Sequence, residues 1–117
     1  LQGQIHLIEG NHDSPRTWNS FDFVSRRRHR LLLVGGLRVL LIHMPIHDSA
    51  YASAAPAHCD YDVCLYGHVH DKQSGWISRG DRWYRNCGVE VQDYRPQPIA
   101  QVLEPRPMTD NVITVVD

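Results

Sequence analysis

The chain has 117 residues, a length that suits one domain, since domains most often contain about 100–150 residues. Hydrophobic residues make up 42% of it, enough for an apolar core, and the 21% of charged residues leave a formal net charge of -1. This balance gives no general attraction to nucleic acid or to anionic membranes, and no apolar run approaches the about 20 residues that cross a bilayer.

The cysteines and the first residues bear on the compartment and on the completeness of the chain. Cys59, Cys64 and Cys87 form an odd set without C-x-x-C spacing, which suits neither a disulfide framework nor a zinc knuckle. We therefore expect a reducing, cytoplasmic location. The chain opens on leucine, and Gly3 is typical of a residue that ends a helix. We expect residue 1 to be a cut within a longer protein.

The first predicted strand leads directly into polar residues that are often used in chemistry. The run from Gln4 to Glu9 is short and apolar, and glycines bound it on both sides, which favours a buried strand. Gly10 lets the backbone turn sharply or approach a ligand closely. Three polar residues then follow in a predicted loop: Asn11, His12 and Asp13.

A short helix is predicted after this loop. Ser14 suits a helix N-cap, and Pro15 suits the first helical position. The helix is expected to end near the basic run Ser25–Arg30, which could hold substrate phosphates or nucleic acid. One short cluster in a nearly neutral chain is more often a solvated helix face, and we adopt that interpretation.

The next segment predicts a β-hairpin. Leu31–Val34 and Leu37–Ile42 are apolar runs separated by Gly35 and Gly36, a tight two-residue turn. The second strand ends at His43. As with the first predicted strand, an apolar run stops at a residue that binds metals or moves protons.

A long connection, residues 44–60, is rich in alanine, serine and proline, and loops of that length in compact domains are usually functional or locally mobile. It contains His47 and His58, which we expect to be solvated. Val63–Tyr66 is again a predicted strand, and it runs into Gly67-His68-Val69-His70.

The remaining chain predicts a second hairpin around a glycine turn, and then smaller elements. The predicted hairpin strands are Trp76–Ser78 and Arg82–Tyr84, the strand then continues over Asn86–Val91, a short helix lies within Pro96–Leu103, and Val112–Val116 is either an added strand or a disordered end.

The predicted strand ends carry a set of metal-binding side chains. Reactive groups in open α/β sheets collect beyond the carboxyl ends of the strands, where Asn11, His43, His68 and His70 are all expected. An amide oxygen with imidazole nitrogens suits borderline divalent metals better than calcium or magnesium. If the chain stays extended, His68 and His70 point the same way and could serve two adjacent metals.

These motifs, in this order, resemble the calcineurin-like metallophosphoesterase superfamily. The resemblance rests on Gly10-Asn11-His12-Asp13, on a histidine that ends an apolar strand, and on Gly67-His68-Val69-His70. The tail segments Asn86–Val91 and Asp93–Pro96 are similar to those of small bacterial and phage-type members. The resemblance implies an α/β fold that is part of a four-layer αββα sandwich, with mixed sheets and few short helices. Residues 1–117 would then be one truncated domain without its N-terminal half.

The resemblance also implies an activity and a set of roles. The family hydrolyses phosphomonoesters or phosphodiesters through in-line attack of a hydroxide that bridges two divalent metal ions: manganese, iron, zinc, cobalt or nickel. Asn11, His43 and His68 would bind one ion, and His70 the other. His12 would act as the acid or transition-state stabiliser, and Asp13 would orient it. The implied partner is a phosphorylated small-molecule or nucleotide-type substrate, and neither membrane nor nucleic acid is expected.

The chain departs from the family pattern in one respect. The D-x-H and G-D-x-x-D motifs, which supply the bridging carboxylate and most ligands of the second metal, do not occur in it. We therefore predict that this chain alone binds at most one metal well and hydrolyses phosphoesters poorly. Three alternatives to an enzyme remain. The first is that the histidines are hydrogen-bonded core residues, and the second is that the chain is a non-catalytic scaffold of the same fold for protein interaction. The third alternative is nucleic-acid binding through the basic run, which would depend steeply on salt.

Overall fold

The structure, a computed structural model, describes residues 5–8, 23–68, 75–87, 99–103 and 113–116. Its elements in chain order are β1 (Ile5–Ile8), β2 (Phe23–Arg27), β3 (His29–Val34), β4 (Leu37–Ile42), a 3-10 helix (Ser49–Ala54), β5 (Val63–Tyr66), β6 (Trp76–Arg79), β7 (Arg82–Asn86), α1 (Ile99–Val102) and β8 (Ile113–Val116).

Six of these strands form one mixed sheet in the order β6-β7-β5-β4-β3-β8. At the centre of the sheet, β5 runs parallel to both of its neighbours, β4 and β7. The pairs β6–β7, β3–β4 and β3–β8 are antiparallel. Strands β1 and β2 pair in parallel as a separate two-stranded sheet. A mixed sheet with few short helices agrees with the sequence-based prediction.

The β3–β4 hairpin forms at the predicted place. Gly35 and Gly36 both have positive φ angles, 52° and 87°, as a type I′ turn requires at its two central positions. Val34 pairs with Leu37 across the turn, and the register continues to His29 and Ile42. The turn therefore fixes where β4 ends, and with it the position of His43.

Strand β5 is buried on both of its faces and β4 is largely so, which explains their nearly continuous apolar sequences. Side chains alternate across a strand, so Val39, Val63 and Leu65 lie in one buried cluster, closed by Val102 and Leu103 of the α1 region. The opposite cluster contains aliphatic residues and three tyrosines: Leu40, Ile42, Ile46, Tyr61, Cys64, Tyr66 and Tyr84. The second cluster is the one that packs against the start of the 44–60 connection.

An exposed ion pair links the beginning of β4 to the residue just before β5. The Arg38 guanidinium donates to both carboxylate oxygens of Asp62, from Nη2 at 2.9 Å and from Nε at 3.2 Å. The backbone N–H of Arg38 also donates to Asp62 Oδ2 at 2.9 Å. These bonds fix the register of β4 against β5, and therefore align their far ends.

The structure overturns one expectation and decides between the two alternatives for the C-terminal segment. The basic run is not a helix face: residues 25–27 belong to β2, and His29 and Arg30 begin β3. Arg28 and His29 are exposed, whereas Arg30 is buried. Strand β7 ends at Asn86, and residues 88–91 of the strand expected over Asn86–Val91 lie outside the described residues. The segment near the C-terminus is an added strand, β8, paired with β3. Gly3 and the helix expected after Ser14 lie outside the described residues.

None of the helices in the described ranges has both the length and the apolar character needed to span a bilayer. All three cysteines are free, and Cys64 is buried.

Candidate metal centre

Two neighbouring strands of the sheet end at histidine-bearing segments. Strands β4 and β5 are parallel, with Leu41 opposite Leu65, so their carboxyl ends lie at the same edge of the sheet. The Gly67 N–H donates to the His43 backbone oxygen at 2.9 Å, which continues the pairing one step beyond both strands. His43 and His68 are thereby brought to the same place, although they lie 25 residues apart in sequence.

The two imidazoles are in direct contact. His43 Nε2 and His68 Nδ1 lie 3.2 Å apart, the ring centroids are 5.1 Å apart, and the rings are inclined at 77°. Both residues are half-buried. A separation of 3.2 Å also suits a hydrogen bond between two neutral imidazoles, in which one ring donates and the other accepts.

The same separation fits a shared metal ion. Two imidazole nitrogens at about 2.0–2.1 Å from a tetrahedral ion lie about 3.3 Å apart, and the observed distance is 3.2 Å. Imidazole suits zinc, iron, copper and nickel. The donor atoms that the structure brings together are therefore suitably spaced to hold one divalent ion.

The backbone turns at the second histidine. His68 has a φ angle of 67°, in the left-handed region that few residues other than glycine adopt. The expectation that His68 and His70 point the same way assumed an extended chain, and the chain is not extended at His68. The argument that His68 and His70 lie on one face of an extended strand, next to two metals, therefore does not apply.

The other predicted site residues lie outside the described residues: Asn11, His12, Asp13 and His70. Within the part of the chain that the structure describes, no group of three or more His, Cys, Asp or Glu side chains could hold a metal. The described centre thus consists of His43 and His68. Strand β1, which leads toward Asn11, pairs with β2 and not with the six-stranded sheet.

Sequence reasoning missed Tyr51 as a neighbour of this centre. Its ring centroid lies 5.1 Å from that of His68, and the two rings are inclined at 75°. A usable signal was present, because Tyr51 is a single large aromatic residue within the small-residue run Ser49–Ala54. An aromatic side chain offers more apolar surface to bury than the alanines and serines around it.

The prediction that the loop histidines are solvated is correct for one of them. His58 is exposed. His47 is half-buried, and its ring centroid lies 5.0 Å from those of both Tyr66 and Tyr84. The prediction for His47 is wrong because the preceding residues, Pro45 and Ile46, pack into the core and carry His47 onto the tyrosines.

Two ionisable side chains near the centre remain protonated at neutral pH. Burial raises the pKa of the Cys64 thiol to about 12, which keeps it in the thiol form at neutral pH. Burial likewise raises the pKa of Tyr66, two residues before His68, to about 12.

The sequence of this chain matches a known protein family over most of its length. The sequence profile of the calcineurin-like phosphoesterase superfamily domain matches residues 1–104. The chain therefore belongs to the calcineurin-like phosphoesterase superfamily, as its motifs predict. Such membership suggests a hydrolase acting on phosphoesters, and the superfamily typically binds dimetal centres. No curated protein and no solved structure matches the chain.

Proposed function

We propose that this chain carries part of a metal-dependent phosphoesterase centre. His43 and His68 bind one divalent ion together with Asn11, and His70 contributes to a second ion. The observation that carries the proposal is the 3.2 Å separation of His43 Nε2 from His68 Nδ1 at the ends of two parallel strands. Superfamily membership supplies the reaction class, hydrolysis of a phosphomonoester or phosphodiester.

The residues divide into metal ligands and a proton donor. Bound divalent ions would supply Lewis acidity that activates water and neutralises the phosphoryl oxygens. His12 protonates the leaving oxygen, a role that imidazole fills well near neutral pH. Asp13 is proposed to orient the His12 imidazole, since a neighbouring carboxylate favours the charged imidazolium.

Two motifs that the family uses for metal binding do not occur in residues 1–117. The chain contains no D-x-H and no G-D-x-x-D motif, so one ion has three proposed protein ligands and the other has one. Without a bridging carboxylate, two neighbouring cations repel each other with little compensation. We therefore propose that residues 1–117 bind one ion well and turn over slowly. The chain forms part of a four-layer αββα sandwich, and its free cysteines support a cytoplasmic location.

The test separates metal binding from proton transfer. Titration of the 117-residue chain with Mn²⁺ and with Zn²⁺ should show about one tight site, which His68→Ala removes and His12→Ala leaves intact. In a phosphodiester assay with added Mn²⁺, turnover should be slow, and His12→Ala should lower it further by about 10²–10⁴, the usual contribution of a positioned acid.

Three results would overturn parts of this proposal. Equal metal loss in the His12 and His68 variants would show that His12 is a ligand. Rapid turnover by the 117-residue chain would show that the missing carboxylates are not needed. Metal binding that is unchanged in the His68 variant would remove the metal centre altogether.

A further inference from the structure

The 3-10 helix of the 44–60 connection has one partly buried side chain. Of its residues, Ser49–Ala54, Tyr51 is half-buried and the other five are exposed. A helix with no buried residue gains little from packing, so this one aromatic side chain is its main attachment to the protein.

Tyr51 contacts His68, the candidate metal ligand. Tyr51 meets His68 edge-on, with ring centroids 5.1 Å apart and an angle of 75°. His43 meets the same ring edge-on, at 5.1 Å and 77°. Edge-to-face contact within about 4.5–7 Å is a favourable arrangement of aromatic rings. The His68 imidazole is therefore held by two aromatic neighbours from different parts of the chain.

His68 needs such support because of its backbone. With a φ of 67° it lies in the left-handed region, and a non-glycine residue persists there only where its surroundings hold it. It also follows the end of β5, so the sheet does not fix its ring. Contacts from neighbouring side chains must then decide the direction of the imidazole nitrogens.

The helix is itself positioned by a cap. The Asp48 side chain accepts a hydrogen bond from the Ala50 N–H at 2.9 Å, and the Tyr51 N–H donates to the Asp48 backbone oxygen at 2.9 Å. Before the helix, Pro45 and Ile46 are buried. Tyr51 thus reaches His68 from a segment that is fixed at its start.

We propose that Tyr51 is a positioning residue of the metal centre, which orients the His68 imidazole for metal binding through edge contact of its ring. The inference rests on the proposed function, because it takes His68 to be a ligand. It extends that function by making the 44–60 connection part of the metal site. Removal of the ring should weaken metal binding, whereas removal of the hydroxyl alone should not.

The test compares variants at one position in the 117-residue chain. Co²⁺ is the probe, since its visible absorption reports both affinity and coordination geometry. Tyr51→Leu should weaken Co²⁺ binding by about threefold to tenfold, the range that loss of one aromatic contact gives, and should alter the absorption bands. Tyr51→Phe keeps the ring and should bind within about twofold of the wild type. Ala52→Leu places the same side chain at an exposed position of the same helix and serves as the matched control.

A metal-free measurement makes the test independent of affinity. The imidazole proton signals of His68 in the NMR spectrum should shift in Tyr51→Leu, because the ring current of Tyr51 is lost, and should move little in Ala52→Leu. Unmoved His68 signals, or equal Co²⁺ affinity in Tyr51→Leu and wild type, would overturn the proposal.

Co²⁺ binding by the histidine and tyrosine variants distinguishes an error about Tyr51 from an error about the metal centre. If His43→Ala and His68→Ala lose Co²⁺ while Tyr51→Leu binds normally, the metal centre stands and the role of Tyr51 is refuted. If all of these variants bind Co²⁺ like the wild type, or if the wild type binds none, the metal centre itself is refuted and the role of Tyr51 falls with it.

Discussion

His47→Ala should destabilise the protein measurably, although sequence reasoning treats this residue as solvated. The His47 ring lies 5.0 Å from the rings of both Tyr66 and Tyr84, at 47° and 40°. An aromatic pair contributes about 0.5–1.5 kcal/mol beyond area burial. Two contacts from a half-exposed ring lead us to expect a loss of about 1–2 kcal/mol in the free energy of unfolding.

Urea denaturation followed by circular dichroism measures this loss directly. The midpoint should fall while the slope stays constant, because the surface exposed on unfolding barely changes. His58→Asn is the matched control: His58 is exposed in the same connection, with a φ of 58°, and asparagine tolerates that left-handed conformation. The control should change stability by less than about 0.5 kcal/mol.

Equal stability of the His47→Ala and His58→Asn variants would refute the reasoning. It would show that the tyrosine contacts of His47 add nothing, and that the start of the 44–60 connection is held by Pro45 and Ile46 alone.

Two further predictions concern ionisation. Tyrosine titrates near about 10 when unfolded, and burial raises the pKa of Tyr66 to about 12, so the unfolded chain releases a proton that the folded chain keeps. The stability that protonated Tyr66 contributes is therefore complete below about pH 10 and is lost as the pH rises toward 12. The urea midpoint should fall less steeply with rising pH in Tyr66→Phe than in the wild type. Identical slopes in the two proteins would contradict this. Burial raises the pKa of Cys64 to about 12, so iodoacetamide at neutral pH should modify the half-buried Cys59 before Cys64. Mass spectrometry of the native chain measures the order of modification. Equal modification of the two cysteines would contradict the expectation.

The sequence predicts the central strands well because their signals are local. Leu37–Ile42 and Val63–Tyr66 are short apolar runs with turn residues nearby, and each leads to a histidine close beyond its end. A glycine pair between two such runs specifies the hairpin turn by backbone geometry alone. The neighbouring positions of His43 and His68 follow from parallel pairing of these strands, which the general rule for α/β sheets anticipates.

The failures arise where long-range contacts decide the structure. Residues 25–27 form a strand because β1 lies beside them, and no local pattern in an arginine run reveals that partner. His47 is packed because residues before it enter the core. The contact of His68 with Tyr51 likewise depends on the folded 44–60 connection. Spacing along the sequence does not encode these features.

The most direct test of the metal centre is a double-mutant cycle on Zn²⁺ affinity, with His43→Ala, His68→Ala and the double variant. Two ligands of one ion act together, so each single substitution should remove most of the tight binding, and the double variant should be little worse than either. Additive losses, or tight Zn²⁺ binding that survives in either single variant, would contradict a shared ion between His43 Nε2 and His68 Nδ1.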